Sequence, residues 1–355
     1  MNTQRVLIVG GGQSGLAAAR AARDAGLEPV VLEAGEEPTG SWPRYYDSLR
    51  LFSPSKYSGF PGYAFPGQPG RYPTRDEVVG FLRGYASWLG VDIRTGARVE
   101  DVTTDGQRFV SHLNDGTNVE GDALVAASGS FANPYLPAIP GRDEFAGEVL
   151  HVADYRSPLP YAGKRVVVVG AGNSAVQVGH ELATVADTTL AVRSPIQFVP
   201  QVRGGRDLHF WLDKLKLDLL PPAVLVRLVK GTPVLDTGEY RAAVEAGRLP
   251  QRPVFTSFTS DGVVWADGTT EPVDTVIFAT GYRPHLPYLN GIGALAGDGT
   301  PLHDRGLSTT HPGLAYLGLE FQRSFSSNTL RGVHRDAGYV IAALGSRTRR
   351  AAVRG

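Results

Sequence analysis

The chain has 355 residues, 42% apolar and 20% charged, with 35 basic side chains balanced by 35 acidic ones. That length suits two ordinary domains, and a net charge of zero gives no electrostatic case for nucleic acid as a partner. The chain holds no cysteine, which excludes disulfide frameworks, thiolate nucleophiles and cysteine metal sites; its eight histidines show no ligand spacing, so no metal is expected.

The first apolar run, Val6–Val9, stops at Gly10, Gly11 and Gly12. It is too short for a signal peptide or a membrane span, so a cytoplasmic enzyme with no membrane partner is expected. The run reads as a buried parallel strand. It leads into Gly10-x-Gly12-x-x-Gly15, then an alanine-rich helix to Ala25, then a second strand ending at Glu33. This is the full context of a dinucleotide site. Gly10 permits the tight turn, Gly12 lets backbone approach the pyrophosphate, and Gly15 lets helix and strand pack closely. The phosphates sit at the helix N-terminus, and Glu33 accepts from ribose hydroxyls.

Farther on, Thr74-x-x-Glu77 predicts a capping box opening a structural helix with Val78, Phe81, Leu82, Tyr85 and Leu89 on its apolar side. Asp115-Gly116-Thr117 is a hairpin turn leading to the strand Asp122–Gly129. The whole pattern then repeats. A strand at Arg165–Val169 meets Gly170-x-Gly172-x-x-Ala175, a helix follows, and a strand ends at Arg193-Ser194. Asp267-Gly268-Thr269 leads to a last strand, Asp274–Gly281. The second copy has an arginine where the first has Glu33, and a guanidinium grips a 2′-phosphate that a carboxylate would repel. Two nucleotides on one chain, one site acidic and the other basic, fit FAD taking hydride from NADPH.

The stretch Phe145-x-Gly147-x-x-x-His151-x-x-x-Tyr155, placed just before the second glycine motif, resembles the fingerprint of the flavin-containing monooxygenases. Gly40-Ser41-Trp42 and Tyr46–Pro54 are similar to short bacterial members, including those of arsenic-resistance operons, and Phe278–Tyr282 resembles the family's Ala-Thr-Gly motif. The resemblance spans nearly the whole chain. It implies an α/β fold of glutathione-reductase-like architecture, with two Rossmann-like domains and the NADPH domain inserted in the FAD domain. The expected division is 1–158 and 281–355 for FAD and 159–280 for NADPH. Ser14, Glu33, Ser41, Trp42, Phe52, Val99, Ala127, Ser128 and Gly129 would line FAD. Asn328, Thr329 and Leu330 would begin the helix over the flavin ring. Gly172, Asn173, Ser174, Arg193 and Ser194 would hold NADPH, and Ala279, Thr280 and Gly281 would link the domains behind the nucleotides.

The activity so implied is transfer of one oxygen atom from O2, through a C4a-(hydro)peroxyflavin, to a small sulfide, amine or ketone, by a homodimer. Phe52, His151 and Asn328 are the residues placed nearest the chemistry. Taken alone, His151 reads as a domain-hinge residue rather than a proton carrier. Classical members carry an asparagine where Phe52 falls here, so an NADPH oxidase releasing hydrogen peroxide is the nearest alternative. A non-catalytic nucleotide-binding redox sensor is the alternative of another class. Leu208–Leu215 reads as an amphipathic helix or dimer surface, Gly332–Ala343 as a cover over the pocket, and the basic stretch from Arg347 to Arg354 as a solvated tail.

Overall fold

The computed structural model describes residues 3–220, 224 and 233–352, with side chains up to 346; the side chains of the basic tail fall outside the described residues. In chain order the first unit holds β1 (Arg5–Val9), α1 (Gln13–Asp24), β2 (Glu28–Leu32), α2 (Arg75–Leu89), β3 (Asp92–Arg94), the hairpin strands β4 (Val99–Thr104), β5 (Phe109–Leu113) and β6 (Asn118–Gly121), and β7 (Ala123–Ala126). The second holds β8 (Glu148–His151), β9 (Arg165–Val169), α3 (Asn173–Leu182), β10 (Asp187–Val192), α4 (Leu208–Lys214), α5 (Glu239–Glu245), β11 (Gln251–Pro253) and β12 (Thr275–Phe278). The chain then returns to the first unit with β13 (His303–Asp304), β14 (Leu307–Ser308), β15 (Leu314–Tyr316) and α6 (Val333–Ala352).

Each unit is built on a sheet. The first has strand order β13-β14-β15-β7-β1-β2-β3, parallel from β15 to β3. The second, β11-β10-β9-β12-β8, is parallel throughout. The central strands are apolar runs buried on both faces, as helices and hairpins covering both sides require. The repeat read in the sequence extends to its turns: Asp115 Oδ1 accepts from the Thr117 amide at 2.9 Å, and Asp267 Oδ1 accepts from the Thr269 amide at 2.9 Å.

The capping box forms as expected. Glu77 Oε2 accepts from the Thr74 amide at 2.8 Å, the Thr74 hydroxyl accepts from the Glu77 amide, and the five expected apolar residues of α2 are buried.

The structure gives detail to three expectations. Strand β8, which precedes the division expected at 158/159, hydrogen-bonds to β12 as an edge strand of the second sheet. Residues from Gly332 do not form a cover. They open α6, whose Val333, Ala337, Val340, Ile341 and Leu344 belong to the core that α1 also lines. Finally, α4 is the expected amphipathic helix, with His209 buried and Asp213 and Lys214 exposed. Asp207 caps it, and the ring of His209, 1% exposed, stacks between Phe52 and Tyr57 of the first unit.

Candidate functional site

The first site is assembled where β1, β2 and β7 end together. Register places Val9 beside Leu32 and Ala126, so the loops that follow must converge. They do so with no room to spare. A Cβ on Gly15 would stand 1.7 Å from the carbonyl oxygen of Gly10, and one on Gly10 would stand 2.7 Å from the carbonyl oxygen of Ala127. Gly40, just before Ser41 and Trp42, faces Gly12 so closely that its Cβ would fall 2.8 Å from the Gly12 Cα. The backbone therefore forms a bare cradle at the N-terminus of α1, where free amides favour a pyrophosphate.

Glu33 is buried at the rim of this cradle and accepts from the amides of Gly11 at 2.5 Å and Gly35 at 2.7 Å. Val99 opens β4 nearby, two residues after Ala97, whose amide donates to the Glu33 carbonyl. Ser14 is buried against Gly318. The Ser128 hydroxyl is held by the His285 carbonyl and Tyr288.

One residue that sequence reasoning passed over ties the site together. Gln13 donates to the Asn328 carbonyl at 2.6 Å and accepts from Trp42 Nε1 at 3.2 Å. It thereby joins the glycine loop to both segments expected around the flavin ring. Its position between the motif glycines was the available signal. Thr329 hydrogen-bonds to the Ser326 carbonyl, and Leu330 is buried in the core beside α6.

The second site repeats the geometry. A Cβ on Gly170 would meet the Ala279 carbonyl oxygen at 2.6 Å. Arg193 and Ser194 are exposed just beyond β10, and among the described residues Arg193 makes no ion pair. Gly172 precedes α3, and Ser174 and Ala175 lie in its first turn. Asn173 is partly occupied elsewhere, accepting from the Leu235 amide and donating to the Pro233 carbonyl.

The fingerprint residues between the two units have visible tasks. A Cβ on Gly147 would strike the ring of Phe145 and the backbone of Asp274. Tyr155 is fully buried and donates to Glu181 of α3, which also accepts from Ser48 of the first unit. His151 is engaged at both nitrogens. Nδ1 accepts from the Ala153 amide and Nε2 donates to the Gly281 carbonyl, each at 3.1 Å. Burial pushes its imidazole down, so it is the neutral form that sits at the hinge. Both nitrogens are thus engaged with backbone, an arrangement in keeping with the reading of His151 as a hinge residue.

The crossovers on either side of His151 run together. Tyr135 donates to the Gly281 carbonyl, Arg283 to that of Asn133, and Thr280 to that of Tyr135. Ring contacts continue from Trp42 through Tyr45, Phe131 and Tyr282 to His151.

Beside Phe52 lies a polar network that the sequence did not disclose. Gln201 donates to the Phe52 carbonyl at 2.9 Å and to Asp207 at 2.8 Å. Asp207 also accepts from Tyr72 and from His209 Nδ1. Burial raises the Asp207 carboxyl, but the bonds from His209, Tyr72 and Gln201 outweigh it and hold the group at about 2.

Residues 7–203 match the pyridine nucleotide-disulphide oxidoreductase family. The flavin-containing monooxygenase from Stenotrophomonas maltophilia has a similar structure, with TM-score 0.86 and 31% identity over 98% of this chain and 100% of that one. The chain belongs to this family of flavin monooxygenases. Flavin monooxygenase relatives extend beyond bacteria. Indole-3-pyruvate monooxygenase YUCCA1 of Oryza sativa subsp. japonica is 33% identical over 79% of this chain and 77% of its own. A CzcO-like oxidoreductase of Geobacillus kaustophilus is 30% identical over 95% of this chain and 97% of its own. This flavin monooxygenase uses FAD and NADPH, and its two bare glycine cradles fit them. The disulphide chemistry in the family's name needs thiols that this member lacks.

One titration in the monooxygenase can be measured directly. Burial, and after it the charge of Arg335, push the His334 imidazole down to about 4. The unfolded chain takes up this proton near pH 6.5 and the folded chain only near 4, so stability falls as pH drops through that window. The loss is expected to reach about 2–3 kcal/mol by pH 4. Thermal melts at pH 7, 5 and 4 check it. His334→Asn should flatten the profile, and a variant as acid-sensitive as the parent would show the wrong group.

Proposed function

We propose that this flavin monooxygenase transfers one oxygen atom from O2 to a small sulfide, amine or ketone, releasing the other as water while NADPH supplies two electrons. The observation that carries the reading is the pairing of two bare cradles, one ending in Glu33 and the other in exposed Arg193, on a chain without cysteine. Bound FAD, reduced by NADPH, supplies the oxygen-activating chemistry. The residues of this chain bind, orient and exclude water. Gly10, Gly12, Ser14 and Gly15 take the flavin's pyrophosphate end, and Glu33 and Val99 take its ribose and adenine end. Ser41, Trp42, Phe52, Ala127, Ser128, Gly129, Asn328, Thr329 and Leu330 surround the ring. Gly170, Gly172, Asn173, Ser174, Arg193 and Ser194 hold NADPH, with Ala279, Thr280, Gly281 and His151 setting the hinge. Phe52, stacked on buried His209, supports a dry wall, without which reduced oxygen is lost as peroxide.

The proposal includes a homodimer, which the resemblance supports, and a cytoplasmic location, which the short first apolar run supports. Leu215 and Leu219, exposed after α4, are apolar surface in keeping with it. Among the described residues no helix is long and apolar enough to cross a membrane.

The deciding experiment is oxygen uptake and peroxide release with NADPH, with and without thioanisole. Sulfoxide formation with a matching fall in peroxide is expected. Phe52, which offers no hydrogen bond where classical members have an asparagine, favours one second reading, an NADPH oxidase. Complete release of reducing equivalents as peroxide, with sulfides, amines and ketones alike, would establish that reading instead.

A further inference from the structure

Several polar groups that nucleotide binding leaves unused gather where the α4 excursion meets the start of α6. The Arg331 side chain is 7% exposed, and its Nη1 pairs with Asp218, whose side chain is 9% exposed. That pairing takes only one corner of the guanidinium. Nε and Nη2 of Arg331 are closed off from solvent with no hydrogen-bond partner among the described residues, as are Asp218 Oδ1 and His209 Nε2. Arg335 does not complete the pair. Its Nη2 stands 3.7 Å from Asp218 and donates to Ser326 at 2.6 Å. Buried polar atoms left unmet are rare and costly, and two of these, Nε and Nη2 of Arg331, are donors on one edge that call for a ligand bearing acceptors. The Nε–Nη2 edge is moreover the fork whose two parallel N–H groups match the two oxygens of a carboxylate.

The place fits the chemistry. Arg331 follows directly on Asn328–Leu330, whose first carbonyl is held by Gln13 of the glycine loop. On the α4 side, Gln201 links the Phe52 carbonyl to Asp207, the partner of His209.

We propose that the Nε–Nη2 edge of Arg331 binds the carboxylate of the substrate, so that this monooxygenase acts on small organic acids with the oxidisable atom a few bonds from the carboxylate. The inference rests on the reading of Asn328–Leu330 as the flavin side of the site. Because the fork is closed off, binding of the acid requires residues 217–219 to shift from Arg331.

The test compares thioanisole with (phenylthio)acetic acid, which share an aryl thioether and differ in the carboxylate. With the holoenzyme the acid is expected to show a KM about tenfold or more below that of thioanisole. Arg331→Lys keeps a positive charge facing Asp218 but loses the fork, and should bring the two KM values to within about twofold of each other. A second readout needs no turnover. The acid, and not thioanisole, should raise the melting temperature of the oxidised holoenzyme, and Arg331→Lys should abolish that rise. Equal KM values with no acid-specific rise would overturn the carboxylate site while sulfoxide formation left the monooxygenase reading intact. An acid-specific rise lost in Arg331→Lys, with no sulfoxide from either compound, would sink the oxygen-transfer reading and keep the site. Should Arg331→Lys fail to fold, Asp218→Asn removes the neighbouring anion and leaves the fork. It is expected to lower the KM of the acid further, and an unchanged or higher value would count against the proposal.

Discussion

Replacing Gly15 by alanine is expected to give colourless protein. The added methyl would stand 1.7 Å from the Gly10 carbonyl oxygen, and both are backbone positions of one turn, so no side-chain rotation relieves the clash. Helix α1 must move off β1, which takes the first-turn amides out of the cradle and breaks the link from Gln13 to Asn328 and Trp42. Overpacking of this kind costs about 1–3 kcal/mol, and here it falls on the pyrophosphate contact itself. FAD content after purification, read from visible absorbance, should drop below about a tenth of the parent's, since 1.4 kcal/mol is already tenfold in affinity. Full flavin retention would show that the cradle is not the FAD site. The second motif supplies an internal control, because it carries Ala175 at the matching place, fully buried within the first turn of α3.

The second large effect concerns cofactor choice. Arg193→Glu is expected to raise KM for NADPH by about 10- to 100-fold while KM for NADH stays within about twofold, since a charge-assisted contact to the 2′-phosphate is replaced by repulsion. Arg193 is exposed and makes no ion pair among the described residues, so the substitution should leave folding untouched. Steady-state rates with both nucleotides decide the matter. Equal losses with NADPH and NADH would mean that the residue acts on something other than the 2′-phosphate.

The sequence exposed those features that arise from neighbours along the chain. The glycine turns, Glu33, the Thr74 cap and the paired Asp-Gly-Thr turns are local, and each has one physical cause that a short window contains. The missing features join residues far apart. Gln201 reaches Phe52 across 149 positions and Arg331 reaches Asp218 across 113, and no periodicity encodes such a meeting. The pairing of the strand at 148–151 with β12 was not legible, because that partner lies more than a hundred residues later. Asp207 did leave a trace, since an aspartate just ahead of the apolar run Leu208–Leu215 is a helix cap, but a cap alone says nothing of the histidine it also orients. His151 was easy to single out and hard to interpret. Only the two backbone contacts separate a hinge residue from a proton carrier.

The two crossovers between the sheets bear on how the halves can move. Residues 133–135 and 280–284 are bonded side by side, with Pro134 bridged to Tyr282 and Asn133 Nδ2 donating to the Pro284 carbonyl. Two cross-linked strands behave as a flat spring rather than a swivel: they bend readily about one axis and resist torsion about the others. The pair therefore favours relative bending of the two units over twisting between them.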